Sequence, residues 1–193
     1  LTRSRHGQLE YATTMEYIGK YLKEGNRVLE VGAGTGRYTL ALAQKGYDVT
    51  AVELVESNLE ILQHEITDEM TVCAYQGDAC DLSRFEEDTF DVTLVLGPLY
   101  HLYEAGDVQK CIDEAVRVTK KNGVIFFAFI SVHAIMLANY FRNNFSDGLT
   151  ENFDEAYNVL HFKEQLFTGY DIDGIENLYM DKNIKKLHLV SVD

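Results

Sequence analysis

The chain has 193 residues, which is enough for one domain with a full core, whereas two domains would each be small. It is 46% hydrophobic with 14 Gly and one Pro, an ordinary soluble globular composition. Seventeen basic against 31 acidic residues give a formal charge of −14; such a surface repels phosphate backbones and anionic lipid, so neither nucleic acid nor a membrane is expected as a direct partner, despite the basic cluster Arg3, Arg5, His6.

Gln8 to Lys23 carries Leu9, Ala12, Met15, Ile18, Tyr21 and Leu22 at helical spacing, with Glu24-Gly25-Asn26 as a stop. Arg27–Val31 reads as the first strand. It runs straight into the turn Gly32-Ala-Gly34-Thr-Gly36, and a helix follows over Thr35–Gln44. Tyr47–Val52 is the second strand, followed by a helix over Ser57–Ile66 that Ser57 or Asn58 could cap. Met70–Tyr75 is the third strand, and Phe90–Leu96 the fourth, with the apolar run of a strand buried on both faces. An amphipathic helix is expected over Asp107–Thr119, then a stop at Lys120-Lys121-Asn122-Gly123 and a fifth strand over Val124–Ile130.

This alternation predicts an α/β, doubly wound, Rossmann-like domain with a mostly parallel sheet and helices on both faces. After residue 131 the rhythm breaks. Residues 133–170 are rich in aromatics (Tyr140, Phe141, Phe145, Phe153, Tyr157, Phe162, Phe167, Tyr170) and read as a helical, aromatic lid inserted after strand five. Residues 184–192 look like a sixth strand, and the passage from Gly174 to Asn183 leaves little room for a helix before it. A single domain over 1–193 is expected: an N-terminal helix or cap (1–25), a binding core (26–131), the lid (132–182) and a last strand (183–193).

Cys73, Cys80 and Cys111 are odd in number and lack metal-ligand spacing, so they read as free thiols in a reducing, cytoplasmic setting, with no metal site. No signal peptide is visible and no apolar run reaches the ~20 residues of a spanning helix. A chain that begins at Leu1 rather than Met and stops just past an apolar run reads as trimmed at both ends.

Four features fall at the carboxyl ends of successive strands, where open α/β sheets bind ligands. Glu30 to Gly36 has G-x-G-x-G spacing; the dinucleotide fingerprint would need glycine where Arg37 stands, which points away from NAD toward another adenosine-bearing ligand. Glu53 ends strand two, where a carboxylate can accept from a ribose diol. Asp78 follows strand three, placed to accept from an exocyclic amine such as adenine N6. Leu96-Gly97-Pro98-Leu99-Tyr100-His101 follows strand four, and its proline stiffens the chain leaving the sheet. Singly, each has a structural explanation: a tight turn, a solvated loop acid, a turn former. In order along one sheet edge, they reinforce one another.

This ordered set resembles the class I S-adenosylmethionine-dependent methyltransferases. The resemblance rests on Glu30-Val-Gly-Ala-Gly-Thr-Gly36, Ala51-Val-Glu53-Leu, Gln76-Gly-Asp78-Ala, Phe90 to Pro98 and Glu114 to Ile125, and it covers residues 8–131. Gly97-Pro-Leu-Tyr-His-Leu102 is similar to a bacterial subset acting on small molecules. The resemblance implies that the backbone of Gly32, Ala33 and Gly34 lies against the methionine part of the cofactor, with Glu30 at the base of that site. It likewise implies that Glu53 binds the ribose hydroxyls, that Leu54 packs on adenine, that Asp78 and the Ala79 N–H read the ring, and that the Leu96 carbonyl helps hold the methionine ammonium. Family members usually carry a seventh, antiparallel strand that this sequence does not show.

The expected reaction is methyl transfer to a small-molecule acceptor, leaving S-adenosylhomocysteine. Tyr100 and His101 sit where the methyl should emerge and are the candidate catalytic contacts, His101 having the intrinsic range of a base. Tyr11 and His133 are candidates for closing the substrate pocket. Two alternatives stand beside this: a cofactor-binding but catalytically silent partner subunit, and an NAD-dependent dehydrogenase, against which Arg37 argues. A monomer or homodimer is expected.

Overall fold

A computed structural model describes residues 5–136, 154–155 and 167–192. Its centre is a parallel sheet of five strands: β1 (Arg27–Val31), β2 (Asp48–Glu53), β3 (Val72–Gln76), β4 (Phe90–Val95) and β5 (Thr119–Phe127), in the order β3-β2-β1-β4-β5. The order reverses between β1 and β4, and ligands bind outside the strand ends at such a switch point. β1 is therefore flanked by both strands that shape the site, with Val31 opposite Val52 on one side and Val95 on the other.

Alternation along the strands sends side chains into two layers. Val28, Val49, Val92 and Leu94 meet Ile18 of α1 (Arg5–Tyr21) and Tyr38, Leu42 and Ala43 of α2 (Arg37–Ala43). On the same side, Ala51 packs on Leu62 of α3 (Glu56–Glu65). Leu29, Val31, Val52 and Val95 face α4 (Ala105–Val118), whose Val108, Cys111, Ile112, Ala115 and Val118 are all buried. The predicted α/β architecture, with helices on both faces, is therefore the one found.

Several boundaries moved for local physical reasons. α3 begins before Ser57 and Asn58, and neither caps it: its N-cap is Val55, whose N–H is taken by the Glu53 carboxylate at 3.0 Å. The expected stop at Lys120–Gly123 is a bulge within β5, since Phe90 pairs with Thr119 and Val92 with Val124. Asn122 takes a φ of +65° there. A Cβ on Gly123 would lie 2.8 Å from the Asp91 carbonyl, so only glycine fits.

Beyond the sheet, β6 (Ile130–Ser131) pairs in parallel with β7 (Gly169–Tyr170), and α5 (Val132–Met136) leads off between them. Most of the expected lid, including Tyr140, Phe141, Phe145, Phe153, Tyr157 and Phe162, lies outside the described residues. A short helix, Ile172–Asn177, occupies the passage that the sequence left without one.

The expected sixth strand is not formed: residues 184–192 have no regular structure. His188 draws the segment onto α1 instead, 2.6 Å from the Tyr21 hydroxyl and edge-on to Tyr17, while Leu187 and Leu189 stay half exposed. The alternating pattern exists in the residues, but no strand takes it up. Among the described residues no helix is long and apolar enough to cross a membrane.

Candidate active site

The glycine turn is tied down before it meets any ligand. Gly32 and Ala33 both donate their N–H to the Val52 carbonyl, at 2.8 and 3.1 Å, so the turn folds over the end of β2. The three glycines then do different work. Gly32 has φ +73° and a Cβ there would stand 2.7 Å from the Pro98 ring; at Gly36, φ is +88° and a Cβ would meet Leu62 at 2.3 Å. These two permit close packing against η1 (Pro98–Tyr100) and α3. Gly34, at φ +56°, would meet nothing within 4 Å. The space beside its Cα is open, while its N–H is held by Glu53.

Two carboxylates frame the turn. Glu30, at 2% exposure, accepts from the backbone N–H of Thr39 at 2.7 Å and from the Thr39 hydroxyl. Burial pushes its carboxyl up to about 7, against the opposing pull of the two Thr39 donors, and the nearby Glu53 charge adds to the rise. Glu53, at 5% exposure, accepts from Gly34 N–H at 2.7 Å, Val55 N–H at 3.0 Å and Asn58 Nδ2 at 3.3 Å. All three donors are neutral. Leu54 and Val55 follow with 61% and 48% exposure, an apolar step beside a buried acid. That pairing suits a ligand with a hydroxylated ring and a flat apolar one.

Asp78, one residue past Gly77, is exposed, and its Oδ1 accepts from Cys80 N–H at 2.8 Å, which fixes the turn carrying Ala79. After β4, the Tyr100 hydroxyl donates to the Leu96 carbonyl at 3.0 Å. Burial raises the Tyr100 pKa, and the Glu10 carboxylate adds to it. The exposed His101 ring packs 5.0 Å from Tyr100 and 5.1 Å from Phe167, and Thr168 N–H reaches the Tyr100 carbonyl at 2.8 Å. Residues 167–168 thus return to the strand-four turn.

Glu30, Gly32, Ala33, Gly34, Glu53, Leu54, Asp78, Ala79, Leu96, Tyr100 and His101 accordingly fall along the carboxyl ends of β3, β2, β1 and β4, one continuous edge. Two other expected residues are placed differently. Tyr11 packs on Tyr38, 5.3 Å away and tilted, and on the Arg37 guanidinium, 4.3 Å from its centroid. His133 is the second residue of α5 and is exposed. Sequence reasoning missed Thr39, Asn58 and Glu10, which lie on helices and carry no motif; only the fold brings them to the turn.

Residues 29–127, just over half of the chain, match the family model described as "Methyltransferase domain". A Bacillus subtilis (strain 168) protein with the provisional designation methyltransferase YqeM is 27% identical over 117 residues, 61% of this chain and 47% of that one. The demethylmenaquinone methyltransferase of Clavibacter sepedonicus is 33% identical over 113 residues, 58% of this chain and 44% of that one. The chain thus spans about half the length of the curated relatives it matches. A crystal structure of a SAM-dependent methyltransferase from Methanosarcina mazei superposes with a TM-score of 0.67 at 20% identity, covering 86% of this chain and 82% of that one, a likeness of fold. With the glycine turn, the acids at the strand ends and the sheet order all in place, the chain belongs to the methyltransferase domain family.

Proposed function

We propose that this chain binds S-adenosylmethionine at the edge described above and transfers its methyl group to a small-molecule acceptor. The observation that carries the reading is the pairing of Gly34, open beside its Cα, with the buried Glu53, which touches no cation among the described residues, beside exposed Leu54. A carboxylate has about four acceptor positions. Three neutral donors already orient Glu53, so a ribose diol would take the position left and compete with the Gly34 N–H. Leu54 would cover one adenine face, while Asp78 and the Ala79 N–H would meet the ring edge. The Leu96 carbonyl keeps a second lone pair for an ammonium besides the one used by Tyr100.

When bound, the cofactor supplies a methyl on a sulfonium, a leaving system that needs no activation. The protein's own task is therefore alignment and exclusion of water. Tyr100, His101 and Phe167 form an aromatic wall at the end of β4 that would orient the acceptor, and His101 would take a proton where the accepting atom carries one. Residues 132–182 would act as the lid on that side, a role supported by the return of Phe167 and Thr168 onto Tyr100. The three free cysteines fit a reducing compartment, in keeping with a cytoplasmic enzyme.

Calorimetric titration tests the proposal. S-adenosylhomocysteine is expected to bind and NAD is not. Binding of NAD with no response to S-adenosylhomocysteine would overturn it. Screening acceptors for S-adenosylhomocysteine release would then name the substrate.

A further inference from the structure

The two halves of α1 are held by different forces. Its C-terminal half is anchored in the core, with Ile18 fully buried against Val28 and Leu42, and Tyr21 edge-on to Phe126. Its N-terminal half is anchored less deeply: Tyr11 packs on the same cluster only partly buried, Leu9 is 55% exposed and Ala12 is exposed. A polar clasp on the first two residues of α2, immediately after the glycine turn, adds to that contact. Arg37 donates to the Gly7 carbonyl at 2.6 Å and to the Glu10 carboxylate at 3.2 Å, and stacks on Tyr11; the Tyr38 hydroxyl donates to the other Glu10 oxygen at 2.9 Å.

The clasp also reaches across the site. Glu10 is close enough to Tyr100 to raise its pKa, after burial, and the Tyr100 hydroxyl holds the Leu96 carbonyl. Glu10 thus bonds the start of α2 and lies within electrostatic reach of Tyr100 in the turn after β4. A partly exposed ion pair adds little to global stability, its side chains being 23% and 32% exposed. The same pair can decide whether a short segment with only shallow apolar anchoring stays down or lifts.

We infer that Arg37 and Glu10 form a clasp that keeps the first turns of α1 closed over the methionine end of the cofactor site, making Arg37 a positioning residue for cofactor retention. The inference rests on the proposed cofactor reading. The arginine at the place where a dinucleotide site would need glycine then has a function of its own.

Stopped-flow dissociation of S-adenosylhomocysteine tests this on the wild type, Arg37→Met, Glu10→Gln and the double variant. Each single change is expected to speed dissociation about tenfold with association nearly unchanged, and the double variant should be no worse than either single. Arg37→Lys should recover part of the loss, since it restores the charge facing Glu10 but not the planar fork. Unchanged dissociation in both singles, or losses that simply multiply in the double, would overturn the clasp. If a single variant does not fold, Tyr38→Phe removes one bond to Glu10 and no charge; about threefold faster release is expected, and no change counts against the clasp. A wild type that binds no S-adenosylhomocysteine would instead overturn the cofactor reading itself.

Discussion

The two ends of the sheet treat their acids in opposite ways. On the α4 side, Glu114 accepts from Arg117 Nε at 2.6 Å and Nη2 at 2.8 Å and from Leu82 N–H at 2.6 Å, while Arg117 also donates to the Leu82 and Phe85 carbonyls. Arg117 holds the Glu114 carboxyl below the usual range. At Asp91, burial opposes ionisation, but Arg27 N–H and Lys120 outweigh it and the pKa falls. At the glycine turn, Glu30 and Glu53 are more deeply buried and touch no cation among the described residues. Acids that stitch the chain together are neutralised by a neighbour. Those at the strand ends accept only from neutral donors among the described residues.

Glu30 offers the sharpest way to break this contrast. Its folded-state pKa of about 7 lies above the ordinary 4.5, so the folded protein holds an extra proton between those values. Its contribution to stability is fully present below 4.5 and is lost as pH rises through 7. Over that window the stability of Glu30→Gln relative to wild type should rise by up to about 3 kcal/mol, measured by urea unfolding at a series of pH values. A difference that does not vary with pH would mean that the Thr39 donors fully offset the burial of Glu30, and one that falls as pH rises would place Glu30 with Glu114.

Next in size is Glu114→Ala, which strips Arg117 of its carboxylate and leaves Leu82 N–H without a partner. A loss of about 1–2 kcal/mol is expected, with S-adenosylhomocysteine affinity unchanged. Weakened binding would show that the two ends are not independent. The smallest effect belongs to Lys120→Met. Its ion pair with Asp91 is partly exposed, at 40% and 24%, and its removal should cost no more than about 1 kcal/mol and depend on salt.

The fold was legible because the apolar strands are bounded by turn residues and the first one runs directly into glycines. Glu53 and Asp78 were legible as positions, since strand ends locate them without knowledge of side-chain contacts. Partners were not. The spacing from Glu30 to Thr39, or from Glu10 to Tyr38, has no meaning until α1 and α2 are packed. The false strand at 184–192 shows the converse: alternation reports a residue's preference, but pairing also needs an edge that takes it up. His188 found a better partner in Tyr21.

The most direct test of the contrast is the affinity of Glu53→Ala for S-adenosylhomocysteine, set beside its unfolding free energy. Loss of a charged acceptor toward the ribose should weaken binding by about one to two orders of magnitude, while the variant remains folded. A folded variant with wild-type affinity would contradict the account, placing Glu53 with the acids that serve only the turn.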